Sequence, residues 1–513
     1  MARIVVIGAG TGAMAAAARL AVAGHRVAVF ERGATHGGAM RRFTRDGFAF
    51  DSGPGPALLH LPAVLRDLFV KTGREPLESC VELSQVDPAS RHHFADGTAV
   101  SLPNASRAGV IEALDGALGD GSGERWSAFV NRAREAWDAT RRPLLEEPLW
   151  PDWRVLGRDP YPAVRRRGLF GRGKSPTTAT LAEVARRELA DPRLVALLES
   201  HALAYGFDPR AVPVGAAVLP YMEQTFGSWY PRGGMRALAD ALFARCTARK
   251  VEFTFGAEVT RIVEKDGRAA GIELADGTLT DADVVIAGVS PGRLAQLLRD
   301  GLPWGADDVR PDPVREARAP GRLTVALALD GPRPQGTAHR TVVHAADRAA
   351  ELTAVFGDGN SAAPQGPGLR PTVTVLRPDD PTTRPDDAHE AVTLTATVPA
   401  PGGSPEASLA SPAAAFEALA ERMTESAEVA VPGLRERLLW REVLPPATDE
   451  PVPGPALAGA GGRFLRPGNR TRIPGLYAVG GGSHPGGGPA HAGMSGAIVA
   501  GLIVNGDDWR GSS

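Results

Sequence analysis

The chain has 513 residues, 43% of them hydrophobic, a formal net charge of -2, and only two cysteines, Cys80 and Cys246. That length exceeds what one hydrophobic core supports, roughly 250 to 300 residues, so at least two structural units are expected. The near-neutral balance gives no footprint for nucleic acid, and two distant cysteines in no CxxC or Cys/His cluster exclude a readable disulfide framework or zinc site.

From the N-terminus, Arg3-Ile4-Val5-Val6-Ile7 reads as a buried strand, too short for a secretory leader and followed by no cleavage pattern. A cytoplasmic location is therefore expected. Gly8-Ala9-Gly10-Thr11-Gly12-Ala13 follows as a Gly-rich turn, then an Ala-rich helix from Thr11 to Ala23 and a second strand, Arg26 to Phe30, ending in Glu31. Each part of this βαβ start has a physical task. Gly8 permits the tight turn, Gly10 lets backbone approach a pyrophosphate, and small Ala13 lets the helix pack closely. The helix N-terminus turns unpaired N–H groups and a favourable dipole toward the phosphates, with Thr11 at its head. Glu31 is placed to accept hydrogen bonds from a ribose diol.

Beyond it come Gly37-Gly38-Ala39-Met40 and Phe48-Ala49-Phe50-Asp51-Ser52-Gly53-Pro54-Gly55. Residues 72–213 change character, with more Pro, Arg and helical patterning, and His92-His93 precedes a hairpin turn at Asp96-Gly97. In 150–174, Trp153, Tyr161, Leu169 and Phe170 are mixed with Arg154, Arg158, Arg165, Arg166, Arg167, Arg172 and Lys174. That mixture suits the surface of an anionic bilayer, as it suits a solvated loop. Residues 214–291 hold Trp229-Tyr230-Pro231-Arg232-Gly233-Gly234, a helix, and strands around Phe253, Val259 and Ile272 with hairpin turns at Asp266-Gly267 and Asp276-Gly277. Within 292–463, Thr372 to Leu376 and Ala391 to Val398 alternate as strands, and the Pro-rich stretch after Pro399 reads as a flexible connection. Residues 464–513 close the chain with the strand Leu476 to Val479, a very Gly-rich turn and a helix. No segment approaches the roughly 20 apolar residues that cross a bilayer.

The N-terminal succession, Phe226-Gly227-Ser228-Trp229-Tyr230-Pro231-Arg232-Gly233-Gly234-Met235, and Gly480-Gly481-Gly482-Ser483-His484-Pro485-Gly486-Gly487-Gly488 together resemble the carotenoid (phytoene) desaturases, and the first of them is shared with amine oxidases. The resemblance runs almost the full chain. It implies an α/β fold: a Rossmann-type FAD-binding domain of 1–71, 214–291 and 464–513, and an inserted α+β substrate or cap domain of 72–213 and 292–463. It implies FAD as cofactor, held by Gly8, Gly10, Thr11, Gly12, Ala13, Glu31 and Arg32. Further contacts are implied from Gly38, Ala39, Met40 and Gly55, from the Val259 backbone at the adenine, and from Gly480 and Gly481 at the diphosphate side. Met494 is expected at the start of a helix whose positive end faces the flavin pyrimidine. Where the family commonly carries Arg or Lys after the glycine pair stands Ala39, leaving Arg41 and Arg42 as alternatives for the phosphates.

The implied activity is dehydrogenation of a hydrophobic polyene or isoprenoid by hydride transfer to flavin, with electrons leaving to oxygen or a quinone. The alternatives are a flavin amine oxidase and an FAD-dependent isomerase without net turnover. His491, where the family usually has an Ile-Pro-Gly type sequence, is the one candidate acid/base group beside the flavin, against a turn-bonding or helix-capping role. His484 belongs to the turn itself.

Overall fold

The apolar run Ile4 to Ile7 is buried on both faces, as a central parallel strand must be. In the computed structural model, which describes all residues except 151, 163–178, 300, 302, 313–314, 317, 358–369, 401–411, 448–449 and 512–513, five parallel strands form one sheet. Their order is Leu476–Ala478, Val284–Ala287, Arg3–Ile7, Arg26–Glu31 and Glu252–Phe255. The strands come from three separate stretches of chain. Ile4 and Val6 face a core shared with the helix Thr11–Val22 and the C-terminal helix Pro489–Asn505. Val5 and Ile7 face a second core with Val259, Ile262 and Ile272, from an antiparallel three-stranded sheet. The Asp266-Gly267 hairpin turns between two of those strands with both residues at positive φ, 53° and 72°.

A second sheet of seven strands runs in the order Leu438–Leu444, Gly321–Asp330, His389–Val398, Val373–Leu376, Arg340–Val343, Ser90–His93 and Ala99–Leu102. Only Arg340–Val343 with Ser90–His93 is a parallel pair; the other neighbours are antiparallel. Period-two alternation gives this sheet two unlike faces. Leu323, Val325, Leu327, Val373, Val375, Val392 and Leu394 pack against Leu419, Ala420 and Met423 of the helix Pro412–Ala427. The other face carries Arg322, Thr324, Thr393, Thr395, Thr397, Thr374 and Arg340, set side by side by the register: Arg322 opposite Thr397, and Thr395 opposite both Thr324 and Thr374. A layer of helices, Arg107–Leu118, Ser122–Arg141, Leu181–Leu189, Pro192–Ala204 and Val218–Phe226, closes around buried Trp126 and Phe129.

The first helix and second strand sit where the sequence places them, the helix ending at Val22 with Ala23 as its C-cap. The expected strands at 372–376 and 391–398 are Val373–Leu376 and His389–Val398, paired antiparallel. The stretch expected to be a flexible connection falls at 401–411, outside the described residues, as does most of the basic aromatic stretch, 163–174. Among the described residues, no helix is long and apolar enough to cross a membrane.

Candidate active site

Between the two sheets lies a cavity of about 1370 Å³, larger than one small ligand needs, running from the Gly-rich turn to the polar face of the seven-stranded sheet. At its nucleotide end Gly8 turns at φ 88°. Gly10 lines the cavity, and a Cβ built there meets no atom within 4 Å, so the space in front of this backbone is open. Gly12 is the reverse: its Cβ would lie 2.8 Å from the Gly480 Cα and 2.8 Å from the Ala492 carbonyl, which is how closely the first and last helices meet. Gly38 packs against Gly10, and Gly37 donates its N–H to the Ala9 carbonyl at 2.9 Å. The Glu31 carboxylate accepts N–H groups from Ala9 at 2.8 Å and Gly33 at 2.7 Å. Each oxygen thus holds the loop with one lone pair and keeps another for a ligand.

The helix Thr11–Val22 has no side-chain cap and no acidic residue in its first turn, and the same holds for Pro489–Asn505. Both helix starts border the cavity, the first through Gly10 and Thr11 with their backbone N–H groups, the last through Gly488, Pro489 having no N–H to offer. Gly480, at φ 98°, also lines the cavity with no atom within 4 Å of a built Cβ, and its N–H is tied to Ser495 Oγ at 3.0 Å. Two uncapped helix ends, open glycine backbones and a carboxylate beyond them make a cradle for a long dinucleotide with a central diphosphate.

The other end of the cavity is polar. Glu223 is ion-paired with Arg340 and faced by two imidazoles, His60 Nε2 at 3.9 Å and His201 Nε2 at 3.7 Å from its Oε2. His201 Nδ1 lies 2.9 Å from the Leu197 carbonyl and His60 Nδ1 3.4 Å from that of Gly227. A carbonyl only accepts, so Nδ1 carries the proton in each ring and Nε2 is left toward the carboxylate. Burial pushes the Glu223 carboxyl up, but Arg340, His201 and His60 outweigh it and bring it down to about 2. Burial dominates for His60 and His201 and lowers both, against the pull of Glu223. Arg322 lines the same end, donating Nε to the Pro54 carbonyl at 2.7 Å and one Nη to that of Ala204.

The family model described as flavin containing amine oxidoreductase matches residues 14–396. The chain belongs to this flavin-dependent family. Within it the similarity is to carotenoid desaturases: hydroxyneurosporene desaturase of Cereibacter sphaeroides is 30% identical over 508 residues, 98% of this chain and 97% of that protein. Phytoene desaturase (neurosporene-forming) of Rhodobacter capsulatus is 28% identical over 519 residues, 98% and 94%. The match to 4,4'-diapolycopene oxygenase of Methylomonas, 32% identical, spans 56% of this chain and 55% of that one. Among solved structures, an oxidoreductase from Methanosarcina mazei superposes with a TM-score of 0.62 at 20% identity over 97% and 99% of the two chains. Putrescine oxidase with putrescine bound gives 0.61 at 14% identity over 98% and 99%. At those identities the two structures establish the fold.

The flavoenzyme's cofactor is FAD, and the cradle fits it. Of the residues expected around it, Gly8, Gly10, Thr11, Gly12, Ala13, Glu31 and Arg32 line the cavity. So do Gly38, Ala39, Met40, Gly55, Val259, Gly480 and Gly481. Val259 offers its carbonyl to Arg293 at 3.1 Å, at the end of the cavity where the adenine is expected. Between the two arginines, Arg41 lines the cavity, held by Glu450 at 2.6 Å, while Arg42 is absent from the lining and bonds the Gly233 carbonyl.

Two expectations are corrected. Met494 is the sixth residue of the C-terminal helix, not its start, and packs on the main core; the helix end at the cavity is Gly488, Pro489 and Ala492. His491, third in that helix, does not line the cavity either. Burial, with nearby His484, pushes its imidazole down to about 4, so it is neutral at physiological pH. The helical period explains both: only one face of the first turn meets the cavity, and Gly488, Pro489 and Ala492 occupy it. The cavity residues missed in the sequence are Glu223, Arg340, His60, His201 and Arg322. They come from five separated elements and form no motif; the one available signal was polar residues at alternate positions in strands that lie inside the molecule.

Proposed function

We propose that the chain dehydrogenates a largely apolar polyene or isoprenoid. The observation that carries this is the continuity of one cavity from the cradle past Gly55 to the floor of the seven-stranded sheet, long enough to lay an extended chain beside the flavin. The full-length likeness to hydroxyneurosporene and phytoene desaturases supports it. When bound, FAD supplies the hydride acceptor at its N5 atom. The protein's part is to hold the chain, exclude water and take up a proton. The walls do the first two, and the neutral His60 and His201, each with Nε2 turned toward Glu223, stand ready for the third.

An amine substrate is disfavoured by the charges in the cavity wall, since Arg322 and Arg340 both line it and an ammonium group would meet them. Electrons leave to oxygen or a quinone, the protein working in the cytoplasm with 150–174 resting against a membrane that stores the substrate. The division of the chain at 71, 213, 291 and 463 follows this reading: 1–71, 214–291 and 464–513 supply the cradle, and the two insertions supply the floor and most of the helical cover, to which 214–291 adds the helix Val218–Phe226.

The test is anaerobic mixing of the purified flavoprotein with a panel of polyenes and amines. Bleaching of the flavin's visible absorption by polyenes alone is expected. Bleaching by amines alone would transfer the assignment to amine oxidation, and a protein that takes up no flavin would remove the assignment altogether.

A further inference from the structure

The cavity floor carries hydrogen-bonding groups that face the cavity rather than a protein partner. Thr393 and Thr395 are 7% and 9% exposed and line the cavity with Thr374. Among the described residues none of these three hydroxyls has a hydrogen-bond partner, whereas neighbouring Thr397 gives its hydroxyl to the Leu203 carbonyl at 2.9 Å and Thr372 to Glu351 at 2.9 Å. On the next strand Arg322, 9% exposed, uses Nε and one Nη on backbone carbonyls, and its other Nη has no hydrogen-bond partner among the described residues. These groups are contiguous: Arg322 stands opposite Thr397, two residues from Thr395, and Thr395 stands opposite Thr374. Adjacent strands are about 4.8 Å apart, so a single small group can touch two of them.

The charge around them is equally specific. The carboxylates that line this end are committed, Glu223 to Arg340, Asp51 to the Met235 N–H at 3.0 Å and Glu450 to Arg41. Among the described residues none pairs with Arg322. Burial pulls its guanidinium down to about 10, which leaves it a cation at neutral pH. A cavity-facing cation without a protein counterion, beside hydroxyls that bond no protein group, is a ready partner for a ligand with an anionic oxygen. A pure hydrocarbon offers them no acceptor.

We propose that Arg322, with Thr374 and Thr395, forms a subsite for a carboxylate borne by the substrate, so that the enzyme's substrate is an apolar chain ending in an acid. This rests on the dehydrogenase reading above and narrows its substrate class. The free guanidinium edge supplies the charged contact and the threonine hydroxyls complete the shell around the two oxygens.

The holoenzyme is titrated anaerobically at neutral pH with all-trans-retinoic acid, its methyl ester and retinol, following the perturbation of the flavin spectrum. The wild type is expected to bind the acid at least about tenfold more tightly than the ester or alcohol. Arg322→Gln is expected to bring that ratio close to one, and Thr395→Val, which keeps shape and removes only the hydroxyl, to reduce it several-fold with ester binding unchanged. If Arg322→Gln fails to fold for want of its hold on Pro54 and Ala204, the wild-type ratio and the Thr395→Val variant decide. Equal binding of acid and ester by the wild type, or a ratio untouched by the variants, overturns the subsite while leaving the dehydrogenase reading standing. A lowered flavin midpoint potential in Arg322→Gln with the ratio intact would assign the cation to the cofactor instead and overturn it too. If hydrocarbon polyenes, tried alongside, also fail to perturb or bleach the flavin, the broader reading fails and the subsite with it.

Discussion

Glu31 does two jobs with one carboxylate, and separating them is a direct measurement. Its oxygens already brace the loop through Ala9 and Gly33, so Glu31→Gln keeps the shape, loses the charge and turns one acceptor into a donor. Charge-assisted bonds are worth about 1.5–3 kcal/mol, so FAD should bind about ten- to a hundredfold more weakly in a fluorescence titration, with the fold intact by circular dichroism. Glu223 answers to a different control. Removing its charge by Glu223→Gln strands Arg340 in the cavity wall, and a buried pair broken in this way costs about 3–5 kcal/mol, to be read from urea unfolding. Because its folded pKa is depressed to about 2 from 4.5, its contribution is complete above about pH 4.5 and is lost as pH falls toward 2. Glu31 was legible in the sequence because it ends a strand at a fixed distance from a glycine turn. Glu223 was not: its partners, His60, His201 and Arg340, are remote in sequence, and nothing in a helix reading Tyr221-Met222-Glu223-Gln224 says which way the carboxylate points.

At the level of elements, two glycines two residues apart separate binding from packing. Gly10→Ala places a methyl group where only the cofactor belongs, so the apoprotein's melting temperature should be unchanged while FAD affinity falls at least about tenfold. Gly12→Ala forces a methyl group into Gly480 and Ala492, and an overpacked helix contact of this sort costs about 1–3 kcal/mol even without FAD. Thermal unfolding of the two apoproteins side by side distinguishes them. The sequence placed the helix, the turn and the strands around them because local rules govern all three: small residues for close packing, positive φ for turns, alternation for strands. It could not say what the Thr-Leu-Thr-Ala-Thr-Val stretch faces. Alternation identifies a two-faced strand, yet a polar face usually means water, and here it meets an internal cavity formed by residues hundreds of positions away. The C-terminal helix was harder for the opposite reason: its existence was plain, but which residues of its first turn border the cavity depends on its rotation, which no motif fixed, and neither His491 nor Met494 is among the lining residues.

For the whole molecule, buried neutral histidines set the acid limit. Burial pushes His344 down to about 3 and His484 to about 4. A group held below its unfolded value of 6.5 stabilises the fold fully above that pH and progressively less as pH falls through it. Stability should therefore begin to fall below about pH 6.5, by on the order of 1–2 kcal/mol per histidine at pH 5, seen as a decline in the urea midpoint. FAD adds to stability by mass action, about 2.7 kcal/mol at a hundredfold excess over its dissociation constant, and a thermal shift on adding FAD to the apoprotein measures it.

The cradle joins Gly10, Val259 and Gly480, and the strand Leu476–Ala478 completes the sheet beneath them. On a ribosome this has a temporal meaning. The first glycine turn leaves the exit tunnel long before the residues that complete its pocket exist, so a nascent chain cannot hold the cofactor until nearly all of it has been made. Flavin capture is then a closing event of biogenesis, and cells short of riboflavin should accumulate a full-length, protease-sensitive apoprotein rather than arrested fragments.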